Sequence, residues 1–330
     1  MPELPEVETI RRGLNKFIVK KKIVRIDVLC EKSFIGESVV GEVVGIRRFG
    51  KALVIDLVGG MSLMVHLRMT GQLIYRRDLM QDKSQRKEKR MNCDSGFGED
   101  LGFAGGHPSE NFVDKLPNKQ TRVVIVFDDG VLYFNDQRKF GFIKVMKTVD
   151  VEEDAFIRKL APEPWDMTGE ELYERLQRHK NALIKAVILD QSVVCGLGNI
   201  YADEALYVAK IHPERRAGTV RCAEAECLVK AMRAVMEKSI EAGGSTMETY
   251  VKADGTRGDY LELFAQVFHR QGEPCMRCGT EIKKVKLAGR GTHFCPKCQV
   301  LEKEESVYGN ADLTEVCEVN CNYDRVGGRE

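Results

Sequence analysis

Apolar positions along this 330-residue chain follow two periods, and the change from one to the other divides the molecule. In the first half they come as short β-branched runs at residues 23–29, 39–46, 52–57 and 62–67, separated by Gly36, Gly50 and Gly59-Gly60. More runs follow at 71–75, 122–127, 131–134 and 142–145, with Asp128-Asp129-Gly130 as a turn signal. Short strands at this spacing predict a β-sandwich or barrel. One helix precedes them, because Ile10, Leu14, Phe17 and Ile18 fall at helical spacing. From residue 151 onward the period is helical, and helices are expected at 154–160, 168–178, 182–189, 199–208 and 223–241. Thr168 and Glu171 make a capping-box pattern at the second of these.

The strand rhythm breaks over residues 76–120, which are polar, rich in Gly, Lys and Arg, and include the run Lys83-Ser84-Gln85-Arg86-Lys87-Glu88-Lys89-Arg90. With little apolar surface to offset ordering entropy, this insertion reads as a loop or disordered segment. Its basic run is read as a solvated loop, with phosphate contact as the alternative. Residues 246–259 are also polar and contain glycine, and are expected to form a mobile loop after Gly243-Gly244-Ser245.

Composition adds two facts. Hydrophobic residues make up 43% of the chain, enough for well-packed cores in two or three domains. The 51 basic and 50 acidic residues nearly cancel, which taken globally argues against a polyanionic partner, but they are not evenly spread. Residues 269–301 hold seven Lys and Arg against two Glu, whereas 302–330 hold eight acids against three bases. A basic module is therefore followed by an acidic tail with Cys317-x3-Cys321, read as a disordered end, with a partner site or a weak extra metal site as the alternatives. No apolar run is long enough to span a bilayer and the first residues lack a basic-then-apolar leader, so the expected location is intracellular.

Cysteine spacing gives the sharpest chemical signal. Cys275-x2-Cys278-x16-Cys295-x2-Cys298 has two paired cysteines separated by the length of a β-hairpin, the pattern of a four-thiolate zinc ribbon. Four protein thiolates leave no open metal position, so one structural Zn2+ is expected, and no organic cofactor. His293 is surplus to that set. Arg290 lies on the hairpin, either as a solvated tip or aimed at a phosphate.

Three other stretches bear on chemistry. The start, Met1-Pro2-Glu3-Leu4-Pro5-Glu6-Val7-Glu8-Thr9, has a small second residue that favours removal of Met1. An unperturbed α-amino group titrates at about 8, so an amine exposed at Pro2 has an unprotonated fraction near neutrality and is a nucleophile toward an aldehyde-level carbon. Glu3 beside it can shuttle a proton. The same residues also read simply as a helix start, with Pro5 in the first turn and Glu6 and Glu8 at its positive end. In Val194-Cys195-Gly196-Leu197-Gly198-Asn199-Ile200-Tyr201-Ala202-Asp203-Glu204, two glycines precede a helix that Asn199 could cap; the choice is between an anion site and an ordinary interhelical turn. In Asn135-Asp136-Gln137-Arg138-Lys139-Phe140-Gly141 a cation and an aromatic flank a loop, and Met69 sits in Arg68-Met69-Thr70-Gly71. Phe140 and Met69 are either core residues or wedges entering a duplex.

Together these stretches resemble the formamidopyrimidine-DNA glycosylase (MutM) family, which shares its architecture with the endonuclease VIII glycosylases. The resemblance covers residues 1–75 and 120–301. It implies an α+β multidomain fold: an N-terminal β-sandwich with a flanking helix over 1–150, a helix-two-turn-helix domain over 151–268, a four-cysteine zinc-ribbon hairpin over 269–301, and the acidic tail 302–330. It also implies a monomer that binds double-stranded DNA containing oxidised bases or abasic sites, and that associates with no membrane.

Residue by residue, the resemblance makes Pro2 the Schiff-base nucleophile and Glu3 the acid/base. Lys51, in Arg47-Arg48-Phe49-Gly50-Lys51, would hold a phosphate beside the lesion. Asn199 and Arg290 would be further phosphate clamps. Met69, Arg138 and Phe140 would fill the gap left by a flipped nucleotide, with Arg138 facing the orphan base. The loop 243–259, with Tyr250-Val251-Lys252-Ala253-Asp254-Gly255, would cover an everted oxidised purine. The implied activity is that of a bifunctional glycosylase and abasic-site lyase of base excision repair, removing oxidised purines by β,δ-elimination. The alternatives are an endonuclease VIII-like preference for oxidised pyrimidines and a DNA-binding protein without catalysis. Intact Pro2, Glu3 and Lys51 argue against the last.

Overall fold

The computed structural model describes residues 1–77, 102–106, 116–245 and 260–301. The basic run at 83–90, the loop at 246–259 and the tail with Cys317 and Cys321 lie outside the described residues. The described residues form two compact units, one drawn from Met1–Arg158 and Ser239–Glu262, the other from Lys159–Lys238 and Leu263–Glu330.

In the first unit helix α1 (Leu4–Ile18) precedes ten strands. These are β1 (Lys22–Val28), β2 (Phe34–Ile35), β3 (Gly41–Phe49), β4 (Ala52–Leu57), β5 (Met61–His66), β6 (Gly71–Arg77), β7 (Gly102–Gly106), β8 (Thr121–Phe127), β9 (Gly130–Asp136) and β10 (Phe142–Lys147). They run in the order β2-β10-β5-β4-β3-β1-β8-β9-β6-β7. All described pairings are antiparallel except that of β2 with β10. Among the described strand pairings, the two five-stranded halves join only where Lys22 and Ile23 pair with Glu42 and Gly41. Both halves line one core: Ile46, Leu53, Ile55 and Val65 come from one, and Leu73, Tyr75, Ile125 and Phe134 from the other. Leu14 and Ile10 of α1 complete it. This is the expected sandwich with its flanking helix.

The insertion departs from expectation. Residues 102–106 are a fully buried strand paired with β6, not loop. Phe103 reaches the α1 face, where a Cβ on Gly13 would lie 2.0 Å from its ring. Glycine inside a helix costs about 1 kcal/mol against alanine, and here it makes room for an aromatic ring in the core. A five-residue strand with three glycines has too weak an apolar pattern to read from sequence.

In the second unit α2 (Gly169–Arg178), α3 (Ile184–Ile188), α4 (Asn199–Val208) and α5 (Cys222–Glu241) match four of the expected helices, and α5 continues into Ser239–Glu262. The Thr168/Glu171 capping box forms as expected. The helix expected at 154–160 is absent; turns and a 3-10 segment at Ile157–Lys159 replace it. A short α6 (Tyr260–Phe264) precedes the hairpin of β11 (Lys283–Leu287) and β12 (Arg290–Phe294). Among the described residues no helix is long and apolar enough to cross a membrane.

One ion cluster fixes the start of the chain to the sheet. Glu8 of α1, 6% exposed, accepts from Arg11 and Arg12 of its own helix and from Arg48 Nε of β3 at 3.1 Å. Burial alone would raise its carboxyl, but the three guanidinium groups outweigh this and hold it at about 2, below the ordinary 4.5. Such a depressed group contributes stability above pH 4.5, and this is lost as pH falls from 4.5 through about 2. Glu8→Gln should therefore flatten the acid limb of the stability curve. Urea unfolding followed from about pH 6 to about pH 3 checks this, and parallel curves for the two proteins would contradict it.

Candidate functional site

Pro2 and Glu3 are both buried at the head of α1, and Glu3 is its N-cap residue. The Glu3 N–H donates to Glu6 Oε2 at 2.8 Å, while Glu6 Oε1 accepts from the Ser245 N–H and hydroxyl, each at 2.8 Å. The Glu6 carboxylate thus bridges the first residues to the segment after α5, a long-range contact that sequence reading did not anticipate.

Lys51 is buried in the two-residue turn where Phe49 pairs with Ala52. The Arg48 side chain, held by Glu8, also donates to the Gly50 carbonyl at 3.2 Å. The turn bearing Lys51 is therefore tied to the helix that starts behind Pro2 and Glu3. Beside it, His66 pairs with Ala52 across the ladder. Burial, with Arg68 and Lys51 nearby, pushes the imidazole down to about 3, so it is neutral. Its Nδ1 accepts the Arg68 N–H at 3.0 Å, which places its own hydrogen on Nε2. Lys51 and His66 are brought together by strand register, which becomes legible only once β4 and β5 are paired.

Met69, Arg138 and Phe140 share one edge of the same unit. Neither Met69 nor Phe140 is core: they are 40% and 56% exposed. The Arg138 guanidinium lies over the Phe140 ring at 5.0 Å.

In the second unit Asn199 does not cap its helix. Gly198 is the N-cap, and Asn199, the first helical residue, donates from Nδ2 to the Gly291 carbonyl at 3.0 Å. Asn199 thus lies against the hairpin that carries the exposed Arg290. Lys185 of α3 reinforces this contact. It is 1% exposed and pairs with Asp203 of α4 at 2.6 Å, and it donates to the Gly291 carbonyl and the Thr292 hydroxyl. The other Asp203 oxygen accepts the His293 N–H at 2.8 Å. Glu204, next in sequence, accepts the N–H groups of Gln266, Val267 and Phe268. Burial pushes its carboxyl up to about 7 against those three donors, with Asp203 adding to the rise.

Cys275, Cys278, Cys295 and Cys298 converge, with all four Sγ atoms within 4.8 Å of one another. The Cys275–Cys298 and Cys278–Cys295 separations are 3.8 and 3.5 Å. Tetrahedral zinc with Zn–S bonds of about 2.3 Å needs sulfurs about 3.8 Å apart, so the set fits. Backbone N–H groups of Arg277 and Cys298 approach Cys275 Sγ and Cys295 Sγ at 3.4 Å, as suits thiolates. His293, engaged with Asp203, stands outside the cluster.

Comparison with known proteins covers nearly the whole chain. The profile of the formamidopyrimidine-DNA glycosylase N-terminal domain matches residues 1–143, that of the formamidopyrimidine-DNA glycosylase H2TH domain 160–251, and that of the zinc finger found in FPG and IleRS 272–300. A formamidopyrimidine-DNA glycosylase of Desulfitobacterium hafniense is 38% identical, with 91% of this chain and all of that one covered. One from an Exiguobacterium species is 37% identical, with 91% and 99% covered. Among solved structures, a Lactococcus lactis FPG mutant in complex with Fapy-dG containing DNA superposes with a TM-score of 0.74 at 34% identity, over 91% of this chain and 100% of that one. The wild-type Lactococcus lactis FPG in complex with an oxidised-pyrimidine DNA gives 0.74 at 33%, with the same coverage.

The finger contains one structural zinc. With Cys275 and Ile282 packed around it, metal loss removes the centre of a small core. Cys278→Ser should reduce bound zinc from about one ion per chain to a small fraction, measured by plasma mass spectrometry. Full occupancy in the variant would contradict the four-thiolate site.

Proposed function

Since this chain belongs to the formamidopyrimidine-DNA glycosylase family, we propose that it is a bifunctional base-excision enzyme that removes oxidised purines from duplex DNA through a Pro2 Schiff base. The observation that carries this reading is the buried Pro2-Glu3 pair heading α1, with the Lys51 turn tied to the same helix through Glu8 and Arg48.

Once Met1 is removed, the Pro2 secondary amine attacks C1′ of the damaged nucleotide and displaces the base, which leaves with a proton. Glu3 protonates the ring oxygen as the sugar opens. The resulting iminium has no N–H to lose, so it stays cationic and acts as an electron sink. Loss of a C2′ proton then expels the 3′ phosphate, and a second elimination expels the 5′ phosphate. Hydrolysis of the iminium frees Pro2. Each step needs only a held amine and a carboxyl group alternating between acid and base.

On this reading Lys51 holds a phosphate near the lesion. Arg290 and the second amide hydrogen of Asn199 hold others. Met69, Arg138 and Phe140 fill the space left by the everted nucleotide, whose unstacking costs a few kcal/mol. The zinc orders the hairpin and takes no part in the chemistry. The protein acts as a monomer, inside the cell and on DNA. A second reading, excision of oxidised pyrimidines, has its own support in the Lactococcus lactis relative solved with such a DNA. Comparative excision from duplexes carrying either class of lesion separates the two.

Borohydride reduction during reaction with an 8-oxoguanine duplex should trap the wild-type protein covalently. Pro2→Gly, folded as judged by its thermal transition, should yield no adduct; an undiminished adduct would place the nucleophile elsewhere. Glu3→Gln should bind the same duplex while strand cleavage falls by on the order of a hundredfold, the lower range for a lost general acid. Normal turnover in gel-based cleavage would remove Glu3 from its role.

A further inference from the structure

We propose that Asp136 is a positioning residue that locks the loops at 68–70 and 137–141 into a single preassembled wedge, so that discrimination of the base opposite the lesion depends on its carboxylate. The inference rests on the glycosylase reading for the identity of the DNA, and on the following geometry for the rest.

Gly71 of β6 pairs with Asp136 of β9, so both loops leave the sheet side by side. One carries Met69, the other Arg138 and Phe140. Asp136 is 1% exposed. Its Oδ1 accepts from the Thr70 hydroxyl and, at 3.1 Å, from the Arg138 N–H. Its Oδ2 accepts the Gly141 N–H at 2.7 Å. Thr70 Oγ1 in turn accepts the Arg138 N–H at 3.0 Å, so hydroxyl, amide and carboxylate form one closed set across the two loops. The Asp136 peptide is also fixed. Its N–H donates to the Gln120 carbonyl, and its carbonyl accepts from Arg122 Nε at 2.7 Å.

What is held this way would not hold itself. Arg68 and Lys139 have φ of +51° and +59°, left-handed values that cost roughly 1–2 kcal/mol each for residues other than glycine. At Gly141 an added Cβ would lie 2.8 Å from the Phe134 ring and 3.0 Å from the His66 carbonyl, so the loop is pressed against the sheet. A loop ordered only on contact with DNA would lose about 1–2 kcal/mol per residue in backbone entropy at that moment. The Asp136 hydrogen bonds tie the two loops together without any DNA contact, and the exposed Met69 and Phe140 side chains project from that base.

A carboxylate suits this role and an amide does not. Asp136 faces donors on both oxygens, whereas asparagine would turn an NH2 group toward one of them and leave two donors opposed. Thr70 contributes a hydroxyl that is both donor and acceptor, which serine keeps and valine lacks.

The test uses the full-length protein with duplexes that carry a tetrahydrofuran abasic analogue opposite C or A, and 2-aminopurine next to that partner base. It reads the C-to-A affinity ratio and the fluorescence rise on unstacking. Wild type and Thr70→Ser should share both. Thr70→Val and Asp136→Asn should bring the ratio near unity, suppress the fluorescence rise and weaken binding by on the order of tenfold, the loss expected for one hydrogen bond to a charged group. Thr70 is half-buried, so its valine variant carries the test should the Asp136 variant not fold. A Thr70→Val protein with wild-type ratio and fluorescence would overturn the proposal. So would an equal loss on undamaged duplex, which would mark a merely structural role, or a wild type with no fluorescence rise. Borohydride trapping of the wild type on an 8-oxoguanine duplex runs in parallel. Failure there with the Thr70→Val effect intact sinks the purine-excision reading alone.

Discussion

The first unit depends on a carboxylate that is nearly out of water and still charged. Glu8 sits under three guanidinium groups, and one of them, Arg48, belongs to the strand that leads into the Lys51 turn. A buried charge is tolerated only when its partners are in place, so the interaction specifies geometry more than it adds stability. It dictates where α1 sits on the sheet, and therefore where Pro2 and Glu3 sit relative to Lys51. Two residues earlier Glu6 does similar work, with one oxygen on the Glu3 N–H and the other on Ser245. The acidic first turn that looked like a complement to the helix dipole is a set of tethers.

The second unit solves its own alignment problem in the same way. Its hairpin is too small to bury a core, so zinc supplies the centre, and the tip must still be aimed. Lys185 and Asp203, both nearly solvent-free, hold the peptide next to Arg290, and Asn199 adds a bond to the same carbonyl. Removing one member of such a pair would leave an uncompensated buried charge, so the lysine and the aspartate depend on each other. Glu204 secures the approach to the finger through three backbone amides, at the expense of a carboxyl whose charge burial disfavours.

Much of this was legible in the chain alone, because it rests on local rules. The strand and helix periods, the Thr168 capping box and the four-cysteine spacing are short-range patterns, and each element they imply is present apart from the helix at 154–160. The strand Gly102–Gly106 escaped notice because its glycines carry no apolar signal, although Phe103 fills a core position. The cap position at α4 falls one residue earlier than the Asn199 side chain suggests, because glycine is also tolerated there and Asn199 is engaged by the Gly291 carbonyl instead.

The sequence by itself determined the metal, the order of the elements and the residue types that could do chemistry, since spacing and side-chain identity are properties of the linear chain. Tertiary structure alone decided which carboxylates serve as tethers: Glu6 on Ser245, Glu8 on Arg48, Asp136 on Thr70 and Asp203 on Lys185. Contacts across tens to hundreds of residues leave no periodic trace. An acidic side chain reads the same whether water or a buried arginine faces it, and only the folded packing supplies that partner.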